Sequence, residues 1–297
     1  LWIPNVSCGS GNLFQPDKKN ALRAPSYPLI MIDPYTSIWS FTDQLNEDAT
    51  RHWTGKEQGL LGVIEVDGVS YRFMGKEAPE EGTPVRFEKA AVQQSVNVLP
   101  TQTYYTFECG PVCLDLIFTS PLLLNDLDRM STPVNYISWQ VRATDGKTHE
   151  TRLTVEASPS LAVHSDDQAV TVAFEEENGI SYVKAGTVEQ SVLARKGDDV
   201  RIDWGYFYLA ARTEKQTEMK VSDRQQLVYS RDMGTVSDSP QSGFLMVGYD
   251  DLYSIQYFKD NRMGYWKHNG KKNIRQAFEG SAEEYRSVMD RCRHFDT

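Results

Sequence analysis

Short segments of two-fold alternation, separated by turn residues, constrain this chain more than any other feature. The sharpest instance is LLGVIEV (60–66), Asp67-Gly68 and VSYRFM (69–74). Asp-Gly supplies the positive φ angles of a type I′ turn, and the flanking alternation gives each strand one apolar face. Further strands are predicted at 86–99, 103–109 and 112–120. In VNYISWQVRA (134–143), Ile137, Trp139, Val141 and Ala143 fall on one face, and Tyr136, Gln140 and Arg142 on the other. In ETRLTVEAS (150–158), Thr151, Leu153, Val155 and Ala157 share a side, with a Thr144-Asp145-Gly146-Lys147 turn before them. The pattern continues at 168–174, 180–186, 188–194, 205–211, 242–249 and 252–258. So many strands at short spacing predict an all-β fold, a large antiparallel two-sheet sandwich of the supersandwich kind with a short C-terminal helix.

Helical periodicity is scarce. Ser222 to Ser230 could hold two turns behind Ser222 as N-cap. The clearer helix follows Ser281-Ala282-Glu283-Glu284, which is close to a capping box. Beyond it Tyr285, Val288, Met289 and Cys292 recur at three- and four-residue steps, an amphipathic stripe. Residues 1–22 mix Gly, Asn, Ser and Lys without a period and read as an irregular arm. The expected organisation is that arm, a β-sandwich over 23–270, and a linker and helix over 271–297 that lead into a further domain.

At 297 residues the chain can bury a large core. Its formal net charge of −10 argues against a nucleic-acid partner, which needs a basic stripe to neutralise phosphates. No apolar run approaches the length of a membrane-spanning helix. The chain starts at Leu1 without a basic, apolar leader, and reads as a fragment of a longer product. Cys109 and Cys113 flank a predicted hairpin tip. Two free, partly buried thiols are expected there, with a bridge across the tip as the alternative. Cys8 and Cys292 have no partner that the sequence nominates.

Signatures of catalysis are mostly missing: there is no GxSxG, P-loop, GxGxxG after a strand, or HExxH. No cofactor is implied. Arg51-His52-Trp53 is the most site-like run, a wall of a polar ligand pocket in one reading. In the other, Trp53 plugs the sandwich end and Arg51 pairs with Glu47 or Asp48. Asp33-Pro34-Tyr35 reads as a structural turn whose carboxylate accepts backbone N–H bonds. Asp126 and Asp128 are weak calcium candidates, because Asn125-Asp126-Leu127-Asp128-Arg129 offers hard oxygen donors but lacks a calcium-loop pattern. Tyr206, Tyr208 and Trp204 could stack on sugar rings or simply pack the core.

Arg23 to Gly75, with its Asp33-Pro34-Tyr35 turn and Trp53-Thr54-Gly55, resembles the opening of the glutaminase A family. Phe73-Met74-Gly75, Phe118-Thr119-Ser120-Pro121-Leu122 and Ser138-Trp139-Gln140-Val141 extend the likeness, as does the tail SAEEYRSVMDRCRHFDT. The resemblance runs from about 23 to 297. It implies a secreted or periplasmic, multi-domain L-glutamine amidohydrolase whose β-rich N-terminal region packs on a helical toroid of the six-hairpin glycosidase type. Catalysis is then expected in the toroid and no catalytic residue in this chain. The partner would be that helical domain of the same polypeptide, with Arg51, His52 and Trp53 as a loop lent to its active-site rim. The docking reading expects an apolar patch on one face and an exposed stripe on the last helix. The alternative is a carbohydrate- or small-ligand-binding module. A self-sufficient hydrolase would need a deep pocket with two carboxylates or a His pair of shifted pKa.

Overall fold

The computed structural model describes residues 13–76, 86–87 and 89–297. Cys8 and most of the N-terminal arm lie outside them; Leu13 to Leu22 form neither helix nor strand.

The first strands are β1 (Tyr27–Asp33), β2 (Thr36–Ser40), β3 (Leu60–Val66) and β4 (Val69–Met74). They are followed by β5 (Val92–Val98), β6 (Gln102–Cys109) and β7 (Val112–Thr119). A short helix α1 (Leu127–Ser131) precedes β8 (Val134–Ala143), β9 (His149–Ala157), β10 (Val170–Glu177) and β11 (Ile180–Thr187). Next come β12 (Tyr206–Arg212), β13 (Thr217–Val221), β14 (Leu227–Val236) and β15 (Gln241–Asp250). The small hairpin β16 (Ile255–Tyr257) and β17 (Asp260–Arg262) leads to α2 (Ile274–Glu283) and α3 (Tyr285–Asp296).

Two antiparallel sheets carry the fold, one in the order β10-β11-β12-β15-β8-β7-β6-β5 and one in the order β13-β14-β9-β3-β4. Their inner faces build the main core. Ile137, Trp139 and Val141 of β8 point inward with Leu114, Leu116 and Phe118 of β7, and meet Leu153, Val155 and Ala157 of β9. The alternation read from 134–143 and 150–158 is therefore the burial pattern, and the chain is an all-β two-sheet sandwich. The Asp67-Gly68 turn joins β3 to β4 with φ of 48° and 78°.

Three local expectations are corrected. Ser222 to Ser230 is a turn and strand instead of a helix, because Leu227, Val228 and Tyr229 pair with β9 and bury themselves in a sheet. Pairing with a sheet outweighs a weak local helix signal. Residues 188–194 form no strand. The C-terminal helix starts earlier than Ser281: Asn273 and Gln276 form the capping box of α2, which runs through Ser281.

The last stripe is not exposed either. Val288, Met289 and Cys292 are buried with Phe278 against the outer face of the large sheet, on Val134, Tyr136, Tyr182, Tyr208 and Met246. The helices complete this domain's own second core. Tyr208 and Trp204, offered as sugar platforms, are packing residues: Tyr208 lies against Phe278 with ring centroids 5.7 Å apart, and Trp204 is buried. The Cys109–Cys113 tip is not bridged, yet the thiols are not both free. Cys109 is a free buried thiol while Cys113 is disulfide-bonded.

His149 clamps two turns together. Its Nδ1 lies 2.7 Å from Asp67 Oδ2 and its Nε2 3.0 Å from Asp145 Oδ1. The bonds to Asp145 and then Asp67 raise the imidazole pKa above its usual value and hold both carboxyls below theirs. A raised histidine stabilises the fold fully below the unfolded pKa and loses that contribution as pH climbs through the folded one. The lowered carboxylates add stability above their unfolded pKa, lost in acid. An NMR titration should place the His149 midpoint above about 6.5, and His149→Gln should flatten the fall in stability from mildly acidic to mildly alkaline pH. A midpoint below the free-histidine value would refute the clamp.

Candidate functional site

One end of the sandwich gathers the turn between β1 and β2, the loop before β3, and the segment after β15. The Asp33-Pro34-Tyr35 turn is latched from several sides. Asp33 Oδ1 accepts the Tyr35 and Thr36 amides, both at 2.8 Å. The Pro34 carbonyl accepts the Trp53 indole N–H at 2.6 Å and faces His52 Nε2 at 3.1 Å. The Tyr35 carbonyl accepts the Ile202 amide at 3.2 Å. Two motifs remote in sequence are thus one structural unit.

Within that unit the three candidate rim residues are unequal. His52 is fully buried. Its Nδ1 accepts the Thr54 amide at 3.3 Å, so Nε2 carries the proton toward Pro34. Burial first, then the Arg201 charge, pushes the imidazole down to about 4, so it is neutral at ordinary pH. Arg51 is occupied, with Nη2 2.9 Å from Asp48 Oδ2 and Nη1 3.1 Å from the Gly55 carbonyl. Trp53 does not plug the sandwich; its side chain is 45% exposed beside the His52 ring. Of the three, Trp53 is the most exposed.

Beside the turn lies a cavity of about 360 Å³, walled by Asp33, Tyr35, Asn135, Tyr249, Asp251 and Trp266 among others. The period-two rule explains how they converge. Asn135 continues the inner face of β8 one step beyond Ile137, and Asp251 continues the inner face of β15 beyond Val247 and Tyr249. Burial pushes the Asp33 carboxyl up to about 6; the Tyr35 amide bond opposes this and the nearby Asp251 charge adds to it. Burial likewise raises Asp251, against a hydrogen bond from Ser254. Asn135 Oδ1 and Asp251 Oδ1 have no hydrogen-bond partner. Tyr249 is satisfied, donating to the Trp204 carbonyl at 2.8 Å. Gly264 has no room for a side chain, since a Cβ there would stand 2.8 Å from Trp266 Nε1.

Sequence reasoning singled out Asp33 only as a turn and missed Asn135, Asp251, Tyr265 and Trp266. A signal existed for Asn135, a polar residue in phase with Ile137, Trp139 and Val141. None existed for Asp251, one acid among 41.

Asp126 and Asp128 stand elsewhere. Asp126 caps α1, accepting the Arg129 amide at 3.0 Å, and pairs with Arg291 at 2.7 Å; Asp128 faces His268 at 3.1 Å. Among the described residues no three His, Cys, Asp or Glu side chains are grouped to hold a metal. No helix among the described residues is long and apolar enough to cross a membrane.

The fold and the site define a two-sheet antiparallel sandwich with an acid-lined cavity at one end. The family model described as Domain of unknown function (DUF5127) matches residues 101–228 and 213–297, and the one described as Domain of unknown function (DUF4964) matches 5–81. The chain belongs to the DUF5127 family. It is 27% identical over 213 residues to Glutaminase A of Aspergillus oryzae, covering 68% of this chain and 28% of that protein. A solved structure provisionally described as a kojibiose phosphorylase from human microbiome aligns over 90% of this chain and 34% of its own length, with a TM-score of 0.48 and 10% identity.

Proposed function

We propose that this chain is a non-catalytic β-sandwich part of a larger glutaminase-like hydrolase, which docks on and stabilises a helical catalytic domain and lends the Trp53 loop to its active-site rim. The observation that carries the reading is the concentration of exposed apolar side chains at one end. Tyr35, Trp53, Ile255, Tyr257, Phe258 and Tyr265 are all exposed there, Phe258 at 84%. Clusters of exposed aromatic rings mark interaction surfaces. The likeness to Glutaminase A, of which the chain spans 28%, supports the glutaminase part of the reading. In this reading the protein works in a secreted or periplasmic setting, and the disulfide at Cys113 supports an oxidising compartment.

The test is ammonia release from L-glutamine by this chain alone and by the full-length gene product that contains it. The expected outcome is activity in the longer protein only, reduced about tenfold in kcat/KM by Trp53→Ala. Ammonia release by the chain itself would overturn the helper role.

The cavity favours a second reading, a small-ligand-binding module, because aromatic walls there surround a few convergent polar groups. The two readings are compatible, since Tyr35, Ile255 and Tyr265 both line the cavity and are exposed on the same end.

A further inference from the structure

We propose that this cavity binds a small organic ammonium ion, its charge held by Asp33 and Asp251 and its carbon skeleton set against the aromatic walls. The inference rests on the small-ligand reading of the cavity.

Charge is the first argument. Among the described residues, Asp33 and Asp251 are the only charged ones that line the cavity, and no lysine, arginine or histidine joins them. The nearby Lys267 is outside the lining and taken up by other groups, with Nζ 2.6 Å from Asp250 Oδ1 and 3.0 Å from the Leu252 carbonyl. Two acids therefore share one cavity with no cation in its lining; the Lys267 charge acts on Asp251 from outside while its Nζ is bonded to Asp250.

Missing donors are the second argument, independent of the first. Asn135 is 2% exposed, and its Oδ1 has no partner; Asp251 Oδ1 is also unpaired. Buried acceptors are normally satisfied, and exceptions call for an explanation. The Asp33 carboxylate, Asn135 Oδ1 and Asp251 Oδ1 describe a guest that only donates. An ammonium group has three donors and no acceptor, together with the charge the acids lack.

Size and lining decide against the nearest competitors. About 360 Å³ bounded by Met31, Leu122, Met130, Tyr265 and Trp266 exceeds what a bare metal ion needs and offers apolar contact to a carbon skeleton. Aromatic walls attract cations through the ring quadrupole. A polyol would satisfy the acceptors but leave the like charges of Asp33 and Asp251 unneutralised.

The proposal has a pH signature. Asp33 comes from the turn after β1, and Asp251 from the segment after β15. The other titratable groups around them are Tyr35, Tyr249 and Tyr265 in the walls, and the Asp250–Lys267 pair beside Trp266. Burial keeps Tyr249 from ionising in the ordinary range. Asp33 holds a proton in mild acid that an ammonium guest must displace, and Asp251 is shifted in the same direction. Affinity should therefore rise as pH climbs through the raised carboxyl range and fade below it.

Titration of this chain with benzylammonium chloride, and in parallel with its neutral counterpart benzyl alcohol, tests the proposal by calorimetry and tryptophan fluorescence. Benzylammonium is expected to saturate and to bind at least about tenfold more tightly than benzyl alcohol near neutral pH. That preference should collapse at about pH 5. Asp251→Asn should cost about tenfold in benzylammonium affinity with an unchanged circular-dichroism spectrum, and Asn135→Leu should weaken binding as a second variant. Equal binding of benzyl alcohol, or an affinity indifferent to both variants, would overturn the ammonium assignment while leaving a small-ligand site. Displacement of benzylammonium by millimolar calcium chloride would overturn it in favour of a metal site. Absence of saturable binding by either compound would overturn both the assignment and the small-ligand reading.

Discussion

Phe278→Ala should destabilise the chain by about 3–5 kcal/mol in urea denaturation, the cost of emptying a large aromatic site in a well-packed core. Phe278 is completely buried, with ring centroids 5.6 Å from Tyr182 and 5.7 Å from Tyr208. It fits because β15 has a glycine beneath it: a Cβ on Gly248 would stand 2.7 Å from Phe278 Cζ. Little room exists for the sheet to collapse into the space, since the Pro133 carbonyl would lie 2.8 Å from that same Cβ. The same helices are tied down by polar contacts. Tyr136 donates to the Ser281 carbonyl at 3.0 Å, Arg129 reaches Ser281 and Glu284, and Asp296 accepts the Thr101 amide at 2.9 Å. A loss below about 1 kcal/mol would mean that α2 only leans on the sheet, and that the second core is not a core.

The second large effect is a gain. Asp33→Asn should leave stability nearly unchanged in mild acid and raise it by on the order of 2 kcal/mol above neutral pH. The reason is the direction of the shift. Asp33 titrates at about 6 in the folded chain, above the ordinary carboxyl value, so the folded state binds more protons than the unfolded one between the two. Stability then falls as pH rises through that window, and the full cost is present above it. Asparagine keeps an oxygen for the Tyr35 and Thr36 amides, so the turn should survive while the charge is removed. Thermal melts of both proteins from about pH 4.5 to 8 should diverge as the pH rises. Parallel curves would show that the Asp33 charge is well solvated. A divergence would mark a group kept at the expense of stability, as binding sites often are.

Both effects sit in places that the sequence shows unequally. The alternation of 134–143 and 150–158 was legible because an inner sheet face repeats every second residue, and Asp67-Gly68 because few residues accept positive φ. The turn at Asp33 was legible for a similar reason, proline fixing the backbone so that a carboxylate can cap it. Ser222 to Ser230 was misread because nine residues carry too little periodicity to outweigh pairing with β9. The apolar stripe of Tyr285, Val288, Met289 and Cys292 was correctly seen as amphipathic, yet its partner was not. A stripe states that a surface must cover it and is silent about whether that surface belongs to the same domain.

The candidate site shows the same boundary. His52 and Trp53 stood out by residue type, but their shared hold on the Pro34 carbonyl depends on a loop folding back over 18 and 19 residues. Asp251 is indistinguishable from other acids until β15 delivers it next to Asp33, more than two hundred residues away. By itself the sequence determined most of the strands, the buried faces of 134–143 and 150–158 and the Asp67-Gly68 turn, because these follow from local backbone geometry and a period of two. Tertiary structure alone decided which sheet face received the helices and which acids share a cavity. Burial and charge proximity are properties of distance in space, and the order of residues along the chain does not encode distance directly.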